Sequence, residues 1–67
     1  MSRKLNADEI ELLDSIQTNF DVGFDRLTDW EQRFTEDILE RYDTYGINMF
    51  VSPKQVELLM KIGEKLL

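Results

Sequence analysis

A chain of 67 residues with a formal net charge of −6 and neither cysteine nor histidine is one domain, near the lower size limit for a self-sufficient hydrophobic core. It can build no disulfide framework and no zinc site, so its stability must come from apolar packing, helped by self-association. At 42% hydrophobic and 33% charged it has the composition of a folded domain, and no apolar run approaches the roughly 18 residues of a membrane span.

The first predicted element is a short basic tail, residues 1–5. Met1-Ser2-Arg3-Lys4 leads into acids instead of an apolar stretch, which excludes a secretory signal and makes a cytoplasmic location the expectation. A helix over about 7–20 follows. Asn6 stands where a capping side chain belongs, with Glu9 three places on, so two backbone donors that the helix leaves open gain partners. Leu5 and Ile10 have the spacing of a hydrophobic staple, and Ile10, Leu13, Ile16 and Phe20 recur at helical intervals. Asp21 to Arg26 is predicted as a connection loosened by Gly23, with Phe24 folding back as a lid on the core. Its Asp-x-Gly-x-Asp spacing resembles part of a calcium loop, but the glycine is misplaced and Gln32 stands where the bidentate Glu belongs, so a turn is expected.

Thr28 and Glu31 repeat the capping pattern and open a second helix over about 29–45. Projected at 100° per residue, Trp30, Phe34, Ile38, Tyr42 and Tyr45 fall within an arc of about 120°. That places Trp30 in the core. Asp29–Arg33 and Asp37–Arg41 are favourable four-apart pairs, whereas Glu36 and Glu40 are like-charged at that spacing. Gly46 stands where a left-handed C-terminal cap belongs. Ile47 to Val51 is an apolar connection. Ser52 and Gln55 then write a third capping box with Pro53 at the first helical position, opening a helix over about 53–67. The apolar residues of this last helix cover about 200°, more than the 100–140° that docking on one face requires. The excess implies burial at the centre of the domain or against another chain.

The fold expected is therefore an all-α, compact three-helix domain with Leu13, Ile16, Phe20, Trp30, Phe34, Ile38, Val56, Leu59 and Ile62 in the core. A homodimer is expected through Met49, Phe50, Leu58, Met60 and Leu67, the apolar surface in excess of that core.

Twelve acids against three bases (Arg26, Arg33, Arg41) concentrate negative charge between Asp8 and Asp43. Such a balance opposes non-specific contact with phosphate backbones. Asp8, Glu11 and Asp14 on the first helix, and Glu36, Glu40 and Asp43 on the second, form rows of carboxylates about 5–6 Å apart. Nucleophilic catalysis lacks its usual base, every Ser or Thr at a helix start has a capping role, and Gly23, Gly46 and Gly63 are too scattered for a phosphate loop. No enzymatic activity, cofactor or metal is expected.

The stretch Leu27-Thr28-Asp29-Trp30-Glu31, with Phe34 and Ile38, followed by Ser52-Pro53-Lys54-Gln55, Leu59, Ile62 and Lys65, resembles a small helical module of early and replication-associated proteins of tailed bacteriophages. The resemblance covers the second and third helices and implies no catalytic residue. It implies a non-enzymatic module in the host cytoplasm that acts on a protein of nucleic-acid metabolism. Two other functions stay open. One is an acidic mimic of nucleic acid that inhibits a host DNA- or RNA-handling enzyme through the two carboxylate rows. The other is a helix–turn–helix-like DNA reader led by Lys54 and Gln55.

Overall fold

The structure is a computed structural model that describes residues 2–67. It is an all-α, three-helix domain measuring 30 × 20 × 19 Å. Helix α1 spans Ala7–Gly23, α2 spans Asp29–Tyr45 and α3 spans Pro53–Leu66. All three predicted capping boxes are present. Asn6, Thr28 and Ser52 accept from the backbone N–H of Glu9, Glu31 and Gln55 at 2.8, 3.2 and 3.2 Å, and those side chains accept from the cap N–H in return. Local chemistry therefore sets where each helix begins.

Where α1 ends differs from expectation. The helix continues past Phe20 to Gly23 and runs into a 3-10 turn over Phe24–Arg26, so the predicted irregular connection is almost wholly helical. Gly23 is a packing glycine and not a breaker: a Cβ there would run into Leu66 Cδ2 of α3. Gly63 does the same from the other helix, since a Cβ on it would lie 2.9 Å from Leu12 Cδ1. These two close approaches let α1 and α3 form the most extensive contact in the domain, with α2 touching both less extensively. Phe24 is half-buried and meets Phe20 edge-to-face at 5.2 Å, in the lid position expected of it.

The residues before α1 are not a free tail. Arg3–Lys4 forms a two-residue strand, β1, antiparallel to β2 over Phe50–Val51, with Arg3 opposite Val51 and Lys4 opposite Phe50. This ribbon ties together the starts of α1 and α3, and Leu5 behind it is buried. Met1 of the expected tail lies outside the described residues.

The core consists of Leu5, Leu13, Ile16, Leu27, Ile38, Met49, Val51, Leu59, Ile62 and Leu66, with Phe20, Phe34 and Val56 among the half-buried residues packed on it. Trp30 is the exception to the predicted set. It is 56% exposed. The row that α2 turns inward is Glu31, Thr35, Ile38 and Tyr42, centred about 110° round the helix from Trp30. Leu39, half-buried, lies on the opposite side of the helix from Trp30, and burying it rotates the indole out.

The rotation places Thr35 at 0% exposure with no hydrogen-bond partner for its hydroxyl. An unsatisfied buried hydroxyl costs about 1–3 kcal/mol, and Val has the same shape and nearly the same helix propensity. Thr35→Val is therefore expected to raise stability by about 1 kcal/mol, seen as a thermal midpoint higher by about 4–8 °C. An unchanged or lower midpoint contradicts the packing described at this position.

Candidate functional site

Two of the cap-closing residues also tie elements together. Glu9, 8% exposed, takes a bidentate pair from Arg3, with Nη1 on Oε1 at 2.7 Å and Nη2 on Oε2, besides the Asn6 N–H at 3.0 Å. A nearly buried carboxylate is thus fully partnered, the condition under which such a charge is tolerated. Glu31 holds the Thr28 N–H at 2.9 Å and Lys65 Nζ at 2.7 Å, joining α2 to α3. Arg3 holds the Glu9 carboxyl below its ordinary value, and Lys65 does so for Glu31. A depressed folded value means the stabilisation is complete above the ordinary pKa of 4.5 and is lost as pH falls through the depressed one. Thermal midpoints are expected to drop on acidification below about pH 4.5, and Glu9→Gln with Glu31→Gln to flatten that drop, since Gln keeps the cap without the charge. An equally steep fall in the double variant contradicts this.

With the frame so held, one edge of α2 is left uncovered. Trp30 and Phe34 stack face to face, 5.2 Å between centroids and 6° between planes. At 100° per residue Arg41 and Tyr45 share that edge, which extends about 22 Å along the helix. Its far end opens into a shallow hollow of about 460 Å³ lined by Arg41, Tyr45, Asn48, Met49 and Phe50. Tyr45 and Phe50 are exposed there, as is Ile47 nearby. Arg41 Nε lies 3.9 Å from Asp37 Oδ2, while the other predicted pair, Asp29–Arg33, does not form among the described residues. The result is a strip of aromatic surface on a helix, interrupted by the Asp37–Arg41 pair, since Asp37 lies about 20° from Trp30 on the same edge. Trp and Tyr are enriched in the energetic centres of interfaces.

The five apolar residues expected to form a single self-contact are dispersed. Met49 is only 2% exposed and packs in the core, lining the hollow at the end of α2 from its inner side. Leu58 is half-buried. Phe50 belongs to the hollow at the end of α2, whereas Met60 and Leu67 line a separate cleft between α1 and α3. The excess apolar arc of α3 is thus explained within the chain: Leu59, Ile62 and Leu66 are core, Val56 and Leu58 are half-buried, and Met60 and Leu67 alone stay largely in solvent.

The six acidic candidates are all exposed. Asp8 borders the cleft between α1 and α3, whereas Asp14 accepts the Tyr42 hydroxyl from α2 at 2.7 Å. The row Asp8–Glu11–Asp14 therefore winds across α1 from one neighbour toward the other, and its last member serves an internal bond. That bond also raises the Tyr42 phenol above its ordinary value, because the Asp14 carboxylate holds its proton. Glu36, Glu40 and Asp43 form no ion pair among the described residues. The two rows do not share a partner.

Gln55, the candidate base-reading side chain, has its Oε1 occupied by the Ser52 N–H at 2.9 Å. Among the described residues no group of three or more His, Cys, Asp or Glu is placed to hold a metal ion, and no helix is long and apolar enough to cross a membrane. Compared with known protein families, curated proteins and solved structures, the chain matches none.

Proposed function

We propose that this chain is a small non-enzymatic protein-interaction module, similar to those of tailed bacteriophages, that binds a protein of nucleic-acid metabolism in the host cytoplasm through the aromatic edge of α2. The observation that carries this is the exposed Trp30 stacked on Phe34 beside a core complete without it. A large aromatic fixed by a neighbour loses little conformational freedom on binding, which is what an interface anchor needs. The resemblance of the second and third helices to phage modules supports the class of partner. The absence of His and Cys from the sequence supports a role without catalysis.

One observation favours the acidic mimic as a second reading: Glu36, Glu40 and Asp43 are exposed and form no ion pair among the described residues. Affinity capture from a bacterial lysate at low and moderate salt separates the two. The baits are wild type, Trp30→Ser, and a variant combining Glu36→Lys, Glu40→Lys and Asp43→Lys. Binding through the aromatic edge requires that wild type and the lysine variant retrieve the same partner at both salt concentrations. Trp30→Ser should lose roughly 30-fold or more in affinity, as expected for removal of an interface anchor worth about 2 kcal/mol. Retention by Trp30→Ser, with loss on charge reversal and at moderate salt, overturns it in favour of the mimic.

A further inference from the structure

We infer that the cleft between α1 and α3 is a second docking site, for a peptide segment whose apolar side chains are flanked by lysine or arginine. The cleft encloses about 550 Å³ and has Leu12, Val56, Met60, Gly63 and Leu67 among its walls. Gly63 and the half-buried Leu12 and Val56 form its floor, where α1 and α3 approach so closely that a Cβ on residue 63 would lie 2.9 Å from Leu12 Cδ1. Met60 and Leu67 are exposed at its mouth, so an apolar occupant would remove both from water.

The occupant is specified by the charge around that apolar floor. Asp8 stands on the α1 side and Glu64 on the α3 side, both exposed and in no ion pair among the described residues. Glu9, the third carboxylate at the edge, is taken up by Arg3 and the Asn6 N–H. Among the described residues no lysine or arginine lines the cleft. Two open carboxylates bracketing an apolar slot select a ligand with cations on either side of its apolar anchors and disfavour an acidic one. Charge disfavours a second copy of this chain: each copy carries −6, and although Lys54, Lys61 and Lys65 leave α3 one positive charge in excess, α2, which bears the exposed aromatics, has Asp29, Glu31, Glu36, Asp37, Glu40 and Asp43 against Arg33 and Arg41. No cleft residue belongs to the aromatic edge of α2, so this site stands or fails apart from the function proposed above.

The test is a titration of isotope-labelled protein, followed by amide chemical shifts, with three synthetic helical peptides. The first carries leucine anchors flanked by lysines, the second the same anchors flanked by glutamates, and the third the lysines with serines for leucines. The first peptide is expected to shift Leu12, Val56, Met60, Gly63 and Leu67 and to bind roughly tenfold more tightly than either of the others. The double variant Asp8→Lys, Glu64→Lys is expected to prefer the glutamate peptide. Both substitutions are at exposed positions; Asp8→Lys puts a cation in the first turn of α1, so a cooperative thermal transition with a midpoint at most a few degrees lower confirms that the variant folds. Equal binding of the lysine and glutamate peptides, shifts confined to other residues, or no binding overturns the assignment. Concentration-dependent shifts of the same amides without any peptide also overturn it, and make a second copy the occupant.

Discussion

Replacing Ile16 with alanine is expected to remove about half of the chain's stability at 25 °C. Ile16 is 0% exposed at the contact between α1 and α3, where a Cβ on Gly63 would lie only 4.0 Å from its Cδ1. Ile→Ala at such a site costs about 2–5 kcal/mol, whereas a chain this size has roughly 3–10 kcal/mol in total. A urea melt should show the midpoint fall to about half of the wild-type value. Val22→Ala is the control: Val22 is 82% exposed on the same helix, and its loss is expected within about 0.5 kcal/mol of neutral. Similar costs at the two positions contradict the burial described for α1.

The second large effect is expected at Gly46, where the backbone has φ 59° and ψ −139°. This region is essentially closed to L-residues with a side chain, and Gly46 is the sole described residue with positive φ. Nothing lies within 4 Å of a Cβ placed there, so the penalty for L-alanine is backbone strain alone, about 1–3 kcal/mol. A chain of this length is within reach of chemical synthesis, which allows a decisive pair. L-Alanine at position 46 should lower the thermal midpoint by several degrees or more, about 4–8 °C per kcal/mol. D-Alanine suits the mirror-image backbone and narrows the unfolded ensemble, so its midpoint should match or exceed wild type. Equal behaviour of the two enantiomers contradicts the turn that carries α2 into β2 and α3.

These two positions also show what the sequence makes legible. The three capping boxes and the need for glycine at 46 are readable because the responsible atoms lie within a few residues of one another, although the ψ of −139° at Gly46 departs from the left-handed cap expected there. Gly23 is ambiguous for the opposite reason. Its role depends on Leu66, 43 positions away, and a packing glycine looks the same in sequence as a helix breaker. The ribbon of residues 3–4 with 50–51 leaves no periodic trace, since two-residue strands are too short to alternate, and with it went the inward placement of Met49.

Trp30 is the misplacement with functional weight. Choosing the most apolar arc of α2 puts the indole at one edge of the buried face. Leu39, half a turn of the wheel away, is the signal that this arc is not the buried one, because the two cannot face the core together. The residue taken for core is thereby the best candidate for the interface. Of the six acidic candidates, exposure followed from sequence, whereas the use of Asp14 by Tyr42 required knowing that α1 and α2 meet there.

Trp30 is the sole tryptophan, so its fluorescence reports on the proposed surface with no background from another indole. The measurement is acrylamide quenching of that emission, in the free protein and after addition of the captured partner. An indole 56% exposed and stacked on Phe34 should emit close to free tryptophan in water and be quenched readily, then become shielded and blue-shifted when the partner covers it. A blue-shifted, quench-resistant indole in the free protein, or quenching indifferent to bound partner, would contradict the account.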